Sequence, residues 1–383
     1  MQELLDFLSN ESNHEFIEQL RQRFPFSMNE TARIVKESPD FPIKELLTLF
    51  RLQKKAIKRI PEAEKLAFTE KGVMQSSSTA LAKYHAELFK PFNTIADLCC
   101  GCGVDLIQLA EGKEKCIAVD LDAETLSTAE FNCKVLDRDN VEFMQVPAEE
   151  FTEKVDAIFA DPDRRPDAGR RNSPESISPP LSALMNLREN VPNMAIKLSP
   201  IMNYHAIRIE GHYTLQFVSE LRVLKEILLC VGELARENVS KVTVMLPSGL
   251  EFVENKRYVA ISEIKQYLYE PDPAIIRAGL VQDLGAVIDS YLVDSHLALL
   301  TSDKLIENPW IKAFKVKEIM PYRKKGLQRY LSENGIGDLV IKPRGFPEET
   351  EEFKKKLKLK GKNKALMFIL RMGNKHQIVF CEV

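Results

Sequence analysis

Asp97-Leu98-Cys99-Cys100-Gly101-Cys102-Gly103 is the stretch that decides the reading of this chain. A short apolar run precedes it at 94–96, and an amphipathic helical pattern follows at 104–110. A second apolar run, 116–119, ends in Asp120, seventeen residues past Gly103. Strand, glycine turn, helix, strand and acid is the order in which a doubly wound sheet cradles an adenosyl cofactor. Gly101 and Gly103 let the backbone approach a ligand where a side chain would clash. Asp120 stands where a carboxylate accepts hydrogen bonds from two ribose hydroxyls.

A nicotinamide site wants Gly-x-Gly-x-x-Gly, and the third position here is Leu106. No Gly-x-x-x-x-Gly-Lys-Ser/Thr string exists, which excludes a P-loop. What remains is an acid leading a glycine turn and a second acid closing the next strand, the arrangement of S-adenosylmethionine sites. Asp97 then lies near the methionine end, to receive the amino group directly or through water. After the third strand, Pro147-Ala148-Glu149 lies where the adenine rests, with backbone at Ala148 and Glu149 nearby. A closed zinc site needs four ligands, and the histidine nearest the cysteines in sequence, His85, precedes the strand. The cysteines read as small packing residues, and no metal is expected.

A chain of 383 residues with 44% hydrophobic content holds two or three domains and a sizeable core. No apolar run approaches the ~20 residues that span a bilayer, and residues 1–8 lack the basic start of a secretory signal. Seven cysteines, an odd count with three in one loop, fit a reducing cytoplasm. The net charge of −3 hides an asymmetry: residues 312–383 carry 18 Lys plus Arg against 8 Asp plus Glu. A basic C-terminal module on an acidic body suggests a polyanionic partner at that end.

Residues 1–75 read as helices punctuated by Pro25, Pro39, Pro42 and Pro61, and a further helix covers 78–89 with serines to cap it. Strands are expected near 94–98, 116–120, 141–145, 155–160, 194–198, 215–220 and 241–246, with helices at 104–110, 123–135 and 223–236. That makes an α/β, Rossmann-like sheet of seven strands within 76–262. Pro271-Asp272-Pro273 looks like a boundary, and small α+β modules are expected at 263–318 and 319–383.

The strand at 155–160 ends in Asp161-Pro162-Asp163-Arg164-Arg165. Its carboxyl end faces the reacting group in such folds. Enzymes that methylate exocyclic base amines often carry Asp/Asn-Pro-Pro-aromatic here, the aromatic stacking on the base. The second proline and the aromatic are both missing. Arg164, Arg165, Arg170 and Arg171 lie within eight residues and can hold phosphates bidentately. Asp161 can orient a nucleophile or take its proton. Asn308-Pro309-Trp310 follows no apolar strand and reads as a turn.

Together these strings resemble the class I S-adenosylmethionine-dependent methyltransferases, and more closely the bacterial THUMP-like-domain methyltransferases. The resemblance runs through Gln75-Ser76-Ser77, Asp97, Gly101, Gly103, Asp105, Asp120, Asp161-Pro162-x-Arg164-Arg165, Pro271-Asp272-Pro273-Ala274 and Lys342-Pro343-Arg344-Gly345. Asp163 stands where the family has alanine. The resemblance implies a methyltransferase sheet followed by a ferredoxin-like insert and a THUMP-like module. It implies a cofactor site formed by Gln75, Asp97, Cys99, Gly101, Gly103, Asp120, Leu121, Ala148 and Glu149. It implies catalysis at Asp161 and Pro162, and RNA (tRNA or rRNA) as the substrate, held by the four loop arginines with Lys342 and Arg344. A small-molecule methyltransferase and a non-catalytic RNA-binding protein of the same fold are the alternatives.

Overall fold

The computed structural model describes residues 1–164 and 172–382, and Arg165, Arg170, Arg171 and the side chain of Arg164 fall outside that description. The chain divides into two compact units, Met1–Glu251 and Phe252–Val383.

The first unit opens with helices α1 (Gln2–Ser9), α2 (His14–Arg23), α3 (Met28–Glu37) and α4 (Ile43–Ala56). Ser27 and Glu30 form a capping box at the start of α3, worth about 1 kcal/mol. Helix α4 buries Ile43, Leu46, Leu49 and Phe50 on one face. It also buries Gln53, whose amide donates to the carbonyls of Glu64 (3.1 Å) and Leu66 (2.8 Å) and so fixes the chain that leads on. The short helix α5 (Glu70–Gln75) follows, then α6 (Thr79–Leu88), capped by Ser78 as expected.

The sheet of this unit has strands β1 (Thr94–Leu98), β2 (Lys115–Val119), β3 (Val141–Met144), β4 (Ala157–Ala160), β5 (Asn193–Leu198), β6 (Thr214–Glu220), β7 (Val223–Val231), β8 (Lys241–Leu246) and β9 (Leu250–Val253), the last spanning the unit boundary. Their order is β9-β8-β6-β7-β5-β4-β1-β2-β3. Helices α7 (Val104–Leu109) and α8 (Ala123–Val135) follow β1 and β2. The switch point, where the order reverses between β1 and β4, is where such sheets bind ligands.

Two expectations need correction. Among the described residues the sheet has nine strands, not seven, and 223–236 holds a strand rather than a helix. Ile227–Val231 is an unbroken buried apolar run, because β7 lies inside the sheet between β5 and β6 with both faces covered. Such a run has no period by which strand and helix can be told apart. Strand β7 runs antiparallel to both neighbours, so the sheet is mixed.

The second unit holds a seven-stranded sheet of β10 (Tyr267–Pro271), β11 (Tyr291–Asp294), β12 (Leu297–Ser302), β13 (Ile311–Pro321), β14 (Ile336–Arg344), β15 (Asn363–Met372) and β16 (Lys375–Cys381), in the order β11-β12-β10-β13-β16-β15-β14. Strand β13 pairs with β10 through 311–315 and with β16 through 316–321. The expected boundary at 318/319 therefore falls inside one continuous strand. Pro271 closes β10, and Asp272 caps the next helix, so neither is a linker. Asn308-Pro309-Trp310 is the turn that the sequence suggests.

Candidate active site

The glycine loop is built by its own backbone. Cys99, Gly101 and Gly103 all have positive φ (63°, 57° and 80°), and the Cys100 amide donates to the Val119 carbonyl at 3.1 Å, tying the loop to β2. A methyl group on Gly103 would meet Ala129 of α8 at 3.2 Å, so this glycine serves helix packing. Nothing lies within 4 Å of a methyl on Gly101, so that position borders open space above the turn. Asn132 of α8 secures the loop from below: its amide donates to the Cys102 carbonyl at 2.8 Å and to the Ala67 carbonyl at 2.9 Å. Helix α5 presses close here, since a methyl on Gly72 would lie 2.1 Å from the Cys102 sulfur.

Two carboxylates flank the turn. Asp120 accepts from the Gly101 amide (3.1 Å) and the Asp122 amide (3.0 Å), one on each oxygen. Burial raises its pKa against those two hydrogen bonds. Asp97 is buried, and neither of its oxygens has a hydrogen-bond partner among the described residues. Burial, with Asp105, Asp161 and Asp120 nearby, pushes its pKa well up. An orphaned buried carboxyl is a costly group. It is relieved by a cationic donor, which the amino group of S-adenosylmethionine is. The residues present fit that cofactor: a carboxyl for its amine, a backbone-lined opening at Gly101, and Asp120 for its ribose.

The other expected contacts divide. Ala148 is buried at the start of a short 3-10 turn, while Glu149 and Leu121 are exposed, Leu121 at 67%. Gln75 is engaged elsewhere, donating to Asp163 at 2.8 Å beside the ion pair of Lys71 and Asp163 (2.5 Å). Asp163, where the resembling family has alanine, thus clasps α5 to the exit of β4. Cys99 is held as a thiol, its pKa pushed up by burial and by Asp120. Among the described residues no group of three His, Cys, Asp or Glu is arranged to hold a metal, and no helix is long and apolar enough to cross a membrane.

Asp161 is anchored by its amide to the Leu98 carbonyl at 3.1 Å, and Pro162 is buried. Beneath them runs a chain of buried charges that sequence reasoning did not assemble. Lys197, ending β5, contacts Asp161 at 2.6 Å, Ser77 at 3.2 Å and Glu226 at 4.0 Å. Glu226 of β7 in turn meets His85 of α6 at 2.6 Å, and the other ring nitrogen of His85 meets Asp105 of α7 at 2.7 Å. Burial works against charge on His85, but Glu226 and Asp105 overcome it and hold the ring protonated, with a pKa raised to about 10. Burial raises the pKa of Asp161, with Lys197 opposing. Burial likewise works against Lys197, yet Asp161, Glu226 and Asp105 drive its pKa above the usual lysine range. Besides Asp161, the sequence signal of this network was Glu226 at the head of the apolar run of β7.

The expected substrate residues Lys342 and Arg344 project from β14, and both pair with Glu270 of β10, Lys342 at 2.6 Å. Their charges are therefore partly met within the second unit. The expected loop contacts at Arg165, Arg170 and Arg171 lie outside the described residues.

The mixed sheet and the turn after β1 make a methyltransferase-like α/β fold, with Asp97 and Asp120 flanking the turn. Residues 90–209 match the methyltransferase domain family, and 311–383 match the THUMP domain-like family. Two curated relatives from Mycobacterium tuberculosis, strains CDC 1551 and H37Rv, are both named uncharacterized S-adenosylmethionine-dependent methyltransferases. Each is 23% identical over 308 residues, covering 80% of this chain and 85% of the relative. The crystal structure of a provisionally assigned methyltransferase from Porphyromonas gingivalis W83 shares the fold, with a TM-score of 0.78 at 19% identity over 97% of this chain and 98% of that one. More particularly, this chain is an S-adenosylmethionine-dependent methyltransferase that carries a THUMP-like domain at its C-terminal end.

Proposed function

We propose that the enzyme methylates structured RNA, gripped through the basic C-terminal module. The observation that carries the reading is the joining of the Asp97–Asp120 cradle to a THUMP-like domain with a surplus of ten positive charges over residues 312–383. Lys355, Lys358, Lys360 and Lys362 are exposed around the start of β15 and unpaired with acids among the described residues, whereas Lys354, Lys356 and Lys364 are paired. Exposed lysines of this kind neutralise phosphates and release counterions, and structured RNA is held through phosphates and shape.

When bound, the cofactor supplies an electrophilic methyl on its sulfonium. Asp97 would hold the amino group and Asp120 the ribose, with Gly101 leaving room for both. The chain's own contribution to rate is then mainly proximity and orientation at Asp161-Pro162. The test is calorimetry with S-adenosylmethionine, followed by radiolabelled methyl transfer onto total cellular RNA. Cofactor binding with label in RNA supports the reading. Cofactor binding with label only in small molecules would sink it.

A further inference from the structure

We propose that the atom methylated is a hydroxyl oxygen, which on RNA is the ribose 2′-hydroxyl, and that Asp161 and Lys197 act on it as a pair. The inference rests on the RNA reading above and names its acceptor chemistry.

The two side chains leave adjacent strands at the same level: Ala160 is paired with Ile196, so Asp161 and Lys197 come next in register. Their contact is 2.6 Å, and both side chains still reach solvent, Asp161 at 32% and Lys197 at 15%. Lys197 donates to Asp161 and Ser77, and Glu226 stands at 4.0 Å, beyond hydrogen-bond reach, so one N–H of the ammonium has no hydrogen-bond acceptor among the described residues. Its carboxylate neighbours hold it charged, so it serves as a donor and not as a base.

A fixed cation beside the acceptor discriminates between acceptor types by sign. When a hydroxyl is methylated, its proton leaves and the oxygen takes on negative character. When a neutral amine is methylated, the nitrogen takes on positive character. The attraction or repulsion of a nearby unit charge is therefore favourable to the oxygen and unfavourable to the nitrogen. The strand exit also departs from the amine-methylase string at two positions: Asp163, tied to Lys71 and Gln75, stands where the second proline would, and Arg164 where the aromatic would. Carbon methylation of a pyrimidine through a covalent adduct needs a thiolate, and Cys99 is kept as a thiol.

The step balances within these groups. The hydroxyl oxygen forms a bond to the methyl carbon as the carbon–sulfur bond breaks, and that bond's electron pair stays on sulfur as a neutral thioether. The hydroxyl proton passes to Asp161 and then to water. As it passes, the negative charge moves from Asp161 to the oxygen, both within reach of Lys197. Burial makes Asp161 a better proton acceptor than an ordinary carboxylate.

The test uses RNA from cells lacking the gene, incubated with the full-length protein and tritiated S-adenosylmethionine, then hydrolysed in alkali. A 2′-O-methyl group blocks alkaline cleavage, so label is expected in dinucleotides. Label in mononucleotides would place the methyl on a base and overturn the inference while leaving the RNA reading intact, whereas RNA that takes no label sinks both. Lys197→Met is expected to lower turnover about 100-fold with affinity for S-adenosylhomocysteine by calorimetry retained, and Lys197→Arg to recover part of the loss. A folded Lys197→Met enzyme with normal turnover also overturns the inference. If that variant fails to fold, the alkaline digest of the wild-type product decides.

Discussion

The two units use charge in opposite ways. The first puts it inside: five ionisable groups from α6, α7, β4, β5 and β7 form one chain beneath the acceptor end of the sheet, with His85 wholly buried. The second puts it outside, on lysines around the short helix Thr350–Lys355 and the start of β15. A buried charge is held by a few specific partners, and losing one strands the others. An exposed charge contributes by number and is screened by salt. The contrast teaches that geometry is fixed in the first unit, while a polyanion proposed to bind the second would be held by a sum over weak contacts.

The largest expected effect tests the inner arrangement. His85→Ala leaves Asp105 and Glu226 as buried carboxylates without their shared partner, which should cost about 3–5 kcal/mol of stability. Thermal unfolding should show a drop on the order of 10 °C, and a drop of one or two degrees would mean that the network is not structural. The same residue gives a pH signature. Its folded pKa is raised to about 10 from an unfolded value near 6.5. The stabilisation is therefore complete below about pH 6.5 and lost as pH rises through about 10. Wild-type stability should fall over that interval, and the variant should lack this component of the fall.

Next in size is the cradle. Asp120→Ala removes a charged acceptor for the ribose hydroxyls and frees the Gly101 amide, so cofactor affinity should weaken by about 1.5–3 kcal/mol, roughly 10- to 100-fold. Unchanged affinity by calorimetry would break the assignment of this carboxylate. Gly101→Ala has no neighbour to strike but must hold a φ of +57°, at about 1–2 kcal/mol. Its melting temperature should drop modestly while cofactor affinity drops further, because the methyl enters the opening. The smallest effect tests the outer arrangement. Lys358→Gln should leave stability within about 0.5 kcal/mol and lower the slope of log affinity for RNA against log salt by about 1. A single lysine with a much larger effect would mean a specific contact where the structure suggests a distributed one.

The cradle was legible because its chemistry is local. Asp97, Gly101, Gly103 and Asp120 lie within two strands and one turn, and periodicity places all of them. The inner network was not, because its bonds join residues 20 and 141 positions apart, from His85 to Asp105 and to Glu226. Only the sheet order brings them together, and β7, which carries Glu226, is the strand whose apolar run hid its period. Surplus positive charge in the last module was countable, but its distribution was not: Lys342 and Arg344 looked free and are met by Glu270 from another strand. Gln75 shows the same limit, since its partner Asp163 lies 88 residues on.

Strand β13 has a practical consequence for anyone who would study the THUMP-like end alone. A cut at 318/319 passes through an eleven-residue strand and removes Val316 and Glu318, which lie opposite Cys381 and Phe380 at the end of β16. The stub would expose a sheet edge, and an open edge invites pairing with other chains. The compact unit that holds every strand of that sheet starts at Phe252, almost sixty residues before the THUMP-like match begins.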